Sequence, residues 1–465
     1  MTVNRQLCAA ALRDYFRVSL SETNLWELEG TQNSPGFFHF GPEIVCYGES
    51  SSGTSSDFAS ANHFDALQQT SLNGVGTYVP FDFGAVIDNL RAERYLSHLT
   101  TGQQRFSQNP YVRKAYYAVR RFLPVAVRRH FQQSYLRDWQ KVAFPHWPVD
   151  FTVDSLHQEF LKLVMKANRV SSLPFIWFWP EGARACTIVT HDVETHFGRD
   201  FSSTLMDIDA AHGFRASFQV VPEKRYEIPE AYWNEICSRG FEFNVHDLNH
   251  DGHLFQSKDE FDRRAKLING YVRKYQARGF RAGAMYRNME WLSAFEFSYD
   301  MSFPNVAHLE PQRGGCCTVM PYFIGNILEL PLTTAQDYSV FNILRQFSID
   351  LWKQQISLLL EHNGLITLLS HPDYLIDLKA RAIYEQLLAH LRQVCDDNNV
   401  WHALPRDVDA WWRARSQMRL VEQDGSWRIE GPQSDRARLA FASLDEDRLV
   451  YTFSKSNTCP SVCRN

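Results

Sequence analysis

The chain has 465 residues, 44% of them hydrophobic, and a formal net charge of -5. That length predicts about two or three domains with a sizeable core, and the composition excludes wholesale disorder. So small a charge gives no electrostatic case for nucleic-acid binding. No run approaches the ~18 uninterrupted apolar residues of a membrane span. Arg5, Arg13, Asp14 and Arg17 break up the N-terminal stretch, so no secretory apolar segment forms there and the expected compartment is the cytoplasm. Nine cysteines are scattered, and the close pairs Cys316-Cys317 and Cys459/Cys463 lack zinc-ribbon spacing, so they read as reduced thiols.

Residues 1–150 read as a mixed N-terminal region. Phe37-Phe38-His39-Phe40 and Ile44-Val45-Cys46-Tyr47 suggest strands, and the Ser/Gly-rich stretch 49–56 a solvated loop. Between 111 and 139, apolar residues at near-helical spacing are interleaved with Arg113, Lys114, Arg120, Arg121, Arg128, Arg129 and Arg137, and Pro124 interrupts them. This stretch reads either as a solvated helix face or as a basic surface for an anionic head group, with Arg120, Arg121, Arg128 and Arg129 supplying the charge. Residues 151–183 read as a connecting helix, over 153–167, and a linker.

From 184 to 415 strands and helices alternate. Strands are expected at 185–189, 216–221, 241–245, 280–284, 297–301, 365–369 and 400–404. Helices are expected near 202–211, 229–238, 258–277, 289–296, 349–361, 379–395 and 408–415, with Gly240, Gly279 and Gly364 as stops. Such alternation is the signature of βα units around a parallel sheet or barrel. Past 416 the period changes to two, and Asp424-Gly425 marks a hairpin turn. Residues 416–455 therefore read as a small antiparallel appendage, and 456–465 as a tail.

Three of the expected strands end in the same kind of chemistry. The first empties into Thr190-His191-Asp192-Val193-Glu194, the third into His246-Asp247-Leu248-Asn249-His250, and the sixth into Ser370-His371-Pro372-Asp373. In α/β folds the C-terminal ends of strands are where sites are built. The i, i+4 spacing of His246 and His250 predicts two rings on one face of a helical turn, as metal ligation requires. Asp192 and Glu194, two apart on a strand, are expected to face one side, with Val193 turned into the packing. His191, His196, His212 and His253 compete as ligands, and Asp247 either orients an imidazole or caps the next turn. Asp300 and Asp337 both fall near strand ends where either would support His371. The loop carrying Cys316-Cys317 reads as a lid or as a buried structural loop.

The ordered set Thr-His-Asp192-Val-Glu194, His246-x-x-x-His250, Phe280-Arg281-Ala282-Gly283 and Leu369-Ser370-His371, spread over about residues 184–405, resembles the polysaccharide deacetylase family, the NodB-like carbohydrate esterases. The resemblance implies a distorted (β/α) barrel, one divalent metal, usually zinc, and hydrolysis of an acetyl group on a sugar. It makes Asp192 the catalytic base, Arg281 the residue that orients it and His371 the general acid. His246 and His250 become metal ligands, with Glu194 as the third. Two departures stand out: Val193 and Glu194 follow Asp192 where a second aspartate is common, and Gly283 stands where a proline is usual. The chemistry of the residues is consistent with this, since two imidazoles and a carboxylate hold a Lewis acid with open positions, and a histidine is a suitable proton donor to a departing amine. The expected partner is an acetylated carbohydrate or its precursor. Two other functions stay open: a carbohydrate-binding or assembly protein in which the altered first motif has lost the metal, and a hydrolase of a non-sugar amide.

Overall fold

The computed structural model describes residues 5–19, 34–56, 58, 64–73, 76–99, 136, 138–423 and 425–453. Arg120, Arg121, Arg128 and Arg129 lie outside the described residues. Among those described, no helix is long and apolar enough to cross a membrane. The chain divides into two compact units: residues 1–100, 151–183 and 410–465 form one, and residues 101–150 and 184–409 the other.

The first unit is built from small antiparallel sheets. Strands β1 (Gly36–His39) and β2 (Val45–Gly48) pair, as do β3 (Ser71–Asn73) and β4 (Gly76–Tyr78). β5 (Ser172–Ile176) lies in the segment read above as linker. It is a strand because it pairs antiparallel with a C-terminal strand, Leu439–Asp445, which pairs in turn with Arg448–Phe453. Arg419–Gln423 and Ser426–Glu430 pair antiparallel, as the expected hairpin does. A buried arginine helps fix this unit. Arg415 donates to the carbonyls of Ile176 and Tyr15, each at 2.8 Å, and of Trp177 at 3.0 Å, and its guanidinium lies 5.3 Å from the Phe178 ring and 5.0 Å from that of Trp412. Carbonyl dipoles and ring faces thus solvate a cation that water does not reach.

The second unit is a curled, mainly parallel sheet wrapped by helices. Its strands are β6 (Ala185–Val193), β7 (Ala216–Val220), β8 (Glu242–His246), β9 (Gly279–Arg281), β10 (Tyr299–Asp300), β11 (Tyr322–Ile324), β12 (Ile327–Glu329), β13 (Leu365–Ser370) and β14 (Val400–His402). The order is β11-β12-β10-β9-β8-β7-β6-β13, with β14 also on β6 and only β11 antiparallel. Every residue of β6 is buried, as a strand covered on both faces requires. The run Pro331–Leu332–Thr333–Thr334 beyond β12 bridges the remaining gap. Leu332 N bonds Phe303 O at 3.0 Å on one side, and on the other Thr333 and Thr334 hydroxyls reach the carbonyls of Leu365 and Thr367 at 2.7 and 2.8 Å. Threonine side chains here replace the backbone ladder, so the barrel is distorted, as expected.

The helices follow ordinary rules. Lys258–Tyr275 is capped by Ser257, carries Asp259 and Glu260 in its first turn and Arg273 and Lys274 in its last, and buries Phe261, Ala265, Ile268 and Val272 along one stripe. It stops at Tyr275 with Gln276 in the left-handed conformation, earlier than the glycine signal predicts. Gly279 serves another need: a Cβ there would lie 2.2 Å from the Tyr299 ring. The helix expected over 289–296 is a 3₁₀ segment, Met289–Ala294. The loop of Cys316 and Cys317 is buried, with Cys316 N bonded to Pro304 O at 2.9 Å, which makes it structural rather than a lid.

A polar cluster inside the barrel has a measurable consequence. Tyr299 donates to Glu242 Oε1 at 2.6 Å and receives from Asn244 at 2.7 Å, while Arg406 N donates to Glu242 Oε2 at 3.2 Å. Burial nonetheless pushes the Glu242 carboxyl up to about 7. Its folded value lies above the ~4.3 of an exposed Glu, so the native state holds the proton more tightly and stability falls as pH rises from about 4 through about 7. The loss is on the order of 3 kcal/mol. Urea unfolding at pH 5 and pH 8 should show this fall in the wild type and a flatter dependence in Glu242→Gln; equal slopes would contradict it.

Candidate functional site

The C-terminal ends of β6, β8, β9 and β13 bring the charged residues together. Asp192 is 3% exposed and lies one residue before the end of β6; its Oδ1 accepts from Arg281 Nη1 at 2.8 Å. Arg281, fully buried at the end of β9, also donates from Nη1 to Thr190 Oγ1 at 3.0 Å and from Nε to Met301 O at 3.0 Å. Its own carbonyl accepts from His246 Nδ1 at 2.9 Å. That bond places the proton on Nδ1 and leaves the buried His246 Nε2, which has no hydrogen-bond partner among the described residues, with a lone pair aimed into the site.

His246 is the last residue of β8, and the stretch to His250 is a loop rather than a helical turn. Asp247 and His250 have φ of 55° and 52°, and this irregular backbone, not helical periodicity, brings the two rings to a centroid distance of 4.8 Å. The two rings meet through loop geometry rather than on the helical turn that the i, i+4 spacing predicts. Arg225 holds the loop by donating to Asn249 O at 3.1 Å and to His250 O. Glu194 stands just past β6, with its Oε1 2.9 Å from His250 Nε2 and 3.8 Å from His371 Nε2. Its backbone N donates to Asp373 Oδ2 at 3.1 Å, and the neighbouring Thr195 hydroxyl donates to the same carboxylate. Gly198 leaves room for Asp373, since a Cβ there would lie 2.3 Å from its oxygen.

One ligand atom each from Glu194, His246 and His250 lies within 4.8 Å of the others. A site whose donors are two imidazoles and a carboxylate, one imidazole already in the ligating tautomer with its lone pair unused, fits a divalent cation such as zinc. Asp192 Oδ2 lies beside this group, 3.6 Å from His246 Nε2. Of the competing histidines, His191 is fully buried between Ser370 Oγ at 2.9 Å and Asp209 Oδ2 at 2.8 Å. His212 bonds Ile208 O at 2.9 Å, His253 faces Asp251 at 3.6 Å, and His196 is exposed.

His371 has a carboxylate of its own. Asp337 Oδ1 lies 2.6 Å from His371 Nδ1, and Asp337 Oδ2 accepts from His371 N at 2.8 Å. Asp300, the other aspartate considered, lies opposite Glu329 across β10 and β12 and accepts from Ser302 Oγ at 2.6 Å. The choice between them depends on how the sheet curls, which local sequence does not carry. Arg225 and Gly198 gave no sequence signal, and Asp373 was visible only as part of the stretch after His371.

The surroundings push these groups apart in charge. Burial works against ionisation of Asp192, but Arg281, His246 and His371 outweigh it and hold the carboxyl below its usual range. Burial is likewise outweighed at Glu194, chiefly by His250, which holds that carboxyl well down. Burial keeps His246 low and therefore neutral. Burial also opposes the charge on His371, but Asp337, Glu194 and Asp192 together raise it to about 10.

No protein-family model matches the sequence, and no curated protein matches it. Solved structures do. A protein from Mycobacterium smegmatis described as a polysaccharide deacetylase is similar at 19% identity and a TM-score of 0.43, covering 51% of this chain and 93% of that one. The peptidoglycan deacetylase PdaC from Bacillus subtilis is similar at 11% identity and a TM-score of 0.33, covering 50% and 93%. A mutant of BA3943, described as a CE4 family pseudoenzyme, is similar at 13% identity and a TM-score of 0.31, covering 48% and 67%. The family named from the motifs is thus also the one that the solved structures bring up, at low identity and over about half of the chain.

The His371–Asp337 pair can be tested without a substrate. Asp337→Asn removes the main charge that holds the His371 proton, so histidine NMR should show its titration falling from about 10 to below about 8. An unchanged titration would mean that the pair does not set the charge of His371.

Proposed function

We propose that the chain is a zinc-dependent hydrolase that removes an acetyl group from an N-acetylated sugar or polysaccharide precursor. The observation that carries this reading is the convergence of Glu194, His246 and His250 within 4.8 Å, beside Asp192 and His371. Glu194, His246 and His250 would hold the cation. When bound, the cation supplies Lewis acidity, bringing the pKa of water toward neutrality and polarising an acetyl carbonyl.

The residues around it then have distinct tasks. Asp192, ionised and fixed by Arg281, accepts a proton from the attacking water through Oδ2, the oxygen that Arg281 does not occupy. His371, kept cationic by Asp337, gives its Nε2 proton to the amide nitrogen as the C–N bond breaks, so the products are acetate and a free amine. Glu194, two residues beyond Asp192 along the chain and longer than Asp, suits the ligand role.

Protein prepared with zinc should bind one ion per chain and release acetate from N-acetylated chitooligosaccharides, and a chelator should abolish the release. Glu194→Ala should lower both zinc content and turnover. Asp192→Asn should keep zinc and lose at least ~100-fold in turnover, because an amide does not accept the water's proton. Zinc lost from Asp192→Asn and kept by an active Glu194→Ala would reverse the two assignments. Wild-type protein that takes up no zinc would favour a carbohydrate-binding protein without catalysis.

A further inference from the structure

Asp300 and Glu329 are the last residues of β10 and β12, the strands that follow β9 in the sheet order, and the tasks above leave both unused. Neither has access to water, and the register sets them side by side. Each carboxyl has one oxygen on a fixed donor: Asp300 Oδ1 accepts from Ser302 Oγ at 2.6 Å, and Glu329 Oε1 from Phe303 N at 3.0 Å. The other two oxygens, Asp300 Oδ2 and Glu329 Oε2, meet no donor on any other described residue. The carboxyls bond each other instead, which two ionised carboxylates cannot do, because each would only accept. One of them therefore carries a proton. Burial raises both carboxyls, and raises Glu329 further because the Asp300 charge adds to it, whereas Arg281 opposes the rise at both. Glu329 is thus the acid and Asp300 the carboxylate.

This pair braces Arg281, the residue that holds Asp192. Between Asp300 and Ser302 lies Met301, whose carbonyl accepts from Arg281 Nε at 3.0 Å. Met301 N donates to Phe280 O at 3.0 Å, and Ala282 N donates to Ser302 Oγ at 2.9 Å, so this segment is laced to β9 on both sides of Arg281. Asp300 fixes the Ser302 hydroxyl in that lacing, and Glu329 fixes Phe303 N. Charge matters as well as bonding. Arg281 Nη2 has no hydrogen-bond partner among the described residues, so nearby negative charge must offset part of the desolvation of the cation. Two charges on adjoining buried carboxyls would repel, so the pair keeps one.

We propose that Asp300 and Glu329 are positioning residues for Arg281: they hold one proton between them, present one negative charge to the guanidinium, and fix the segment whose carbonyl receives its Nε. The effect on turnover rests on the function proposed above, whereas the shared proton and the bracing do not.

The test uses the full chain, and two of its three readouts need no substrate. The first is urea unfolding between pH 5 and pH 9 in a Glu242→Gln background, which removes the titration of Glu242. Stability should fall as pH rises, because the native pair keeps a proton that the unfolded chain gives up, and Glu329→Gln, isosteric with the protonated acid, should lessen that fall. The second is solvent exchange of the Arg281 Nε–H, read by NMR with ¹⁵N-labelled arginine. Exchange should be at least about tenfold faster in the double variant Asp300→Asn/Glu329→Gln, which has no carboxylate left. The third uses zinc-loaded protein and N-acetylchitotetraose: the double variant should lose about tenfold in kcat, with KM and zinc per chain kept. Restoring either carboxylate, as in Asp300→Asn or Glu329→Gln alone, should recover most of both losses.

An equally steep fall of stability in Glu329→Gln would overturn the shared proton. A double variant with unchanged exchange, or single variants as impaired as the double, would overturn the positioning role. Should the double variant not fold, Glu329→Gln decides alone: slow exchange with a lessened pH dependence supports the proposal, and any other result overturns it. Wild-type protein that releases no acetate would defeat the hydrolase reading alone, because unfolding and exchange still judge the pair.

Discussion

The site depends on one buried cation. Arg281 has no access to water, and its bonds tie its own strand, β9, to three others beside the candidate site: Thr190 and Asp192 on β6 through the guanidinium, His246 on β8 through its carbonyl, and Met301 just past β10 through Nε. Removing a charge from water is expensive unless its hydrogen bonds are supplied, and here Nε and Nη1 are supplied by Met301 O, Thr190 and Asp192, while Nη2 has no hydrogen-bond partner among the described residues. The same residue that fixes which Asp192 oxygen stays available also fixes the His246 tautomer. Replacing the Arg281 side chain would release the Asp192 carboxylate, whereas the backbone carbonyl that fixes the His246 tautomer is present with any residue at 281.

Around that cation the neighbours separate the charges of similar groups. Glu194 and Asp192 stay ionised because imidazoles and a guanidinium outweigh their burial, while His246 stays neutral and His371 stays charged because only the latter has a carboxylate 2.6 Å away. Two histidines at the ends of two strands thus become a lone-pair donor and a proton donor. Such divergence among titratable neighbours is how one pocket comes to contain both an acid and a base.

Much of this was legible in the sequence where local pattern and tertiary context agree. The run at 185–189 is apolar on both faces and empties into acids, so β6 and its cargo were readable. Legibility ended where long-range pairing decides. β5 exists because Leu439–Asp445 pairs with it from more than 200 residues away, and the threonine bridge at Thr333 and Thr334 depends on where β13 lies. His246 and His250 looked helical because 3.6-residue periodicity is the cheapest explanation of an i, i+4 pair, whereas two residues with positive φ give the same convergence. Arg225 and Gly198 shape the site from loop and helix positions with no motif to mark them.

The most direct test of the account is crystallographic: anomalous scattering at the zinc edge from crystals of the zinc-loaded chain. The account predicts a single peak bonded to Glu194, His246 and His250, at about 2.0 to 2.1 Å from the two nitrogens, with Asp192 paired to Arg281 and outside bonding distance. No peak at this position, or a peak bonded through Asp192 with Glu194 turned away, would contradict it.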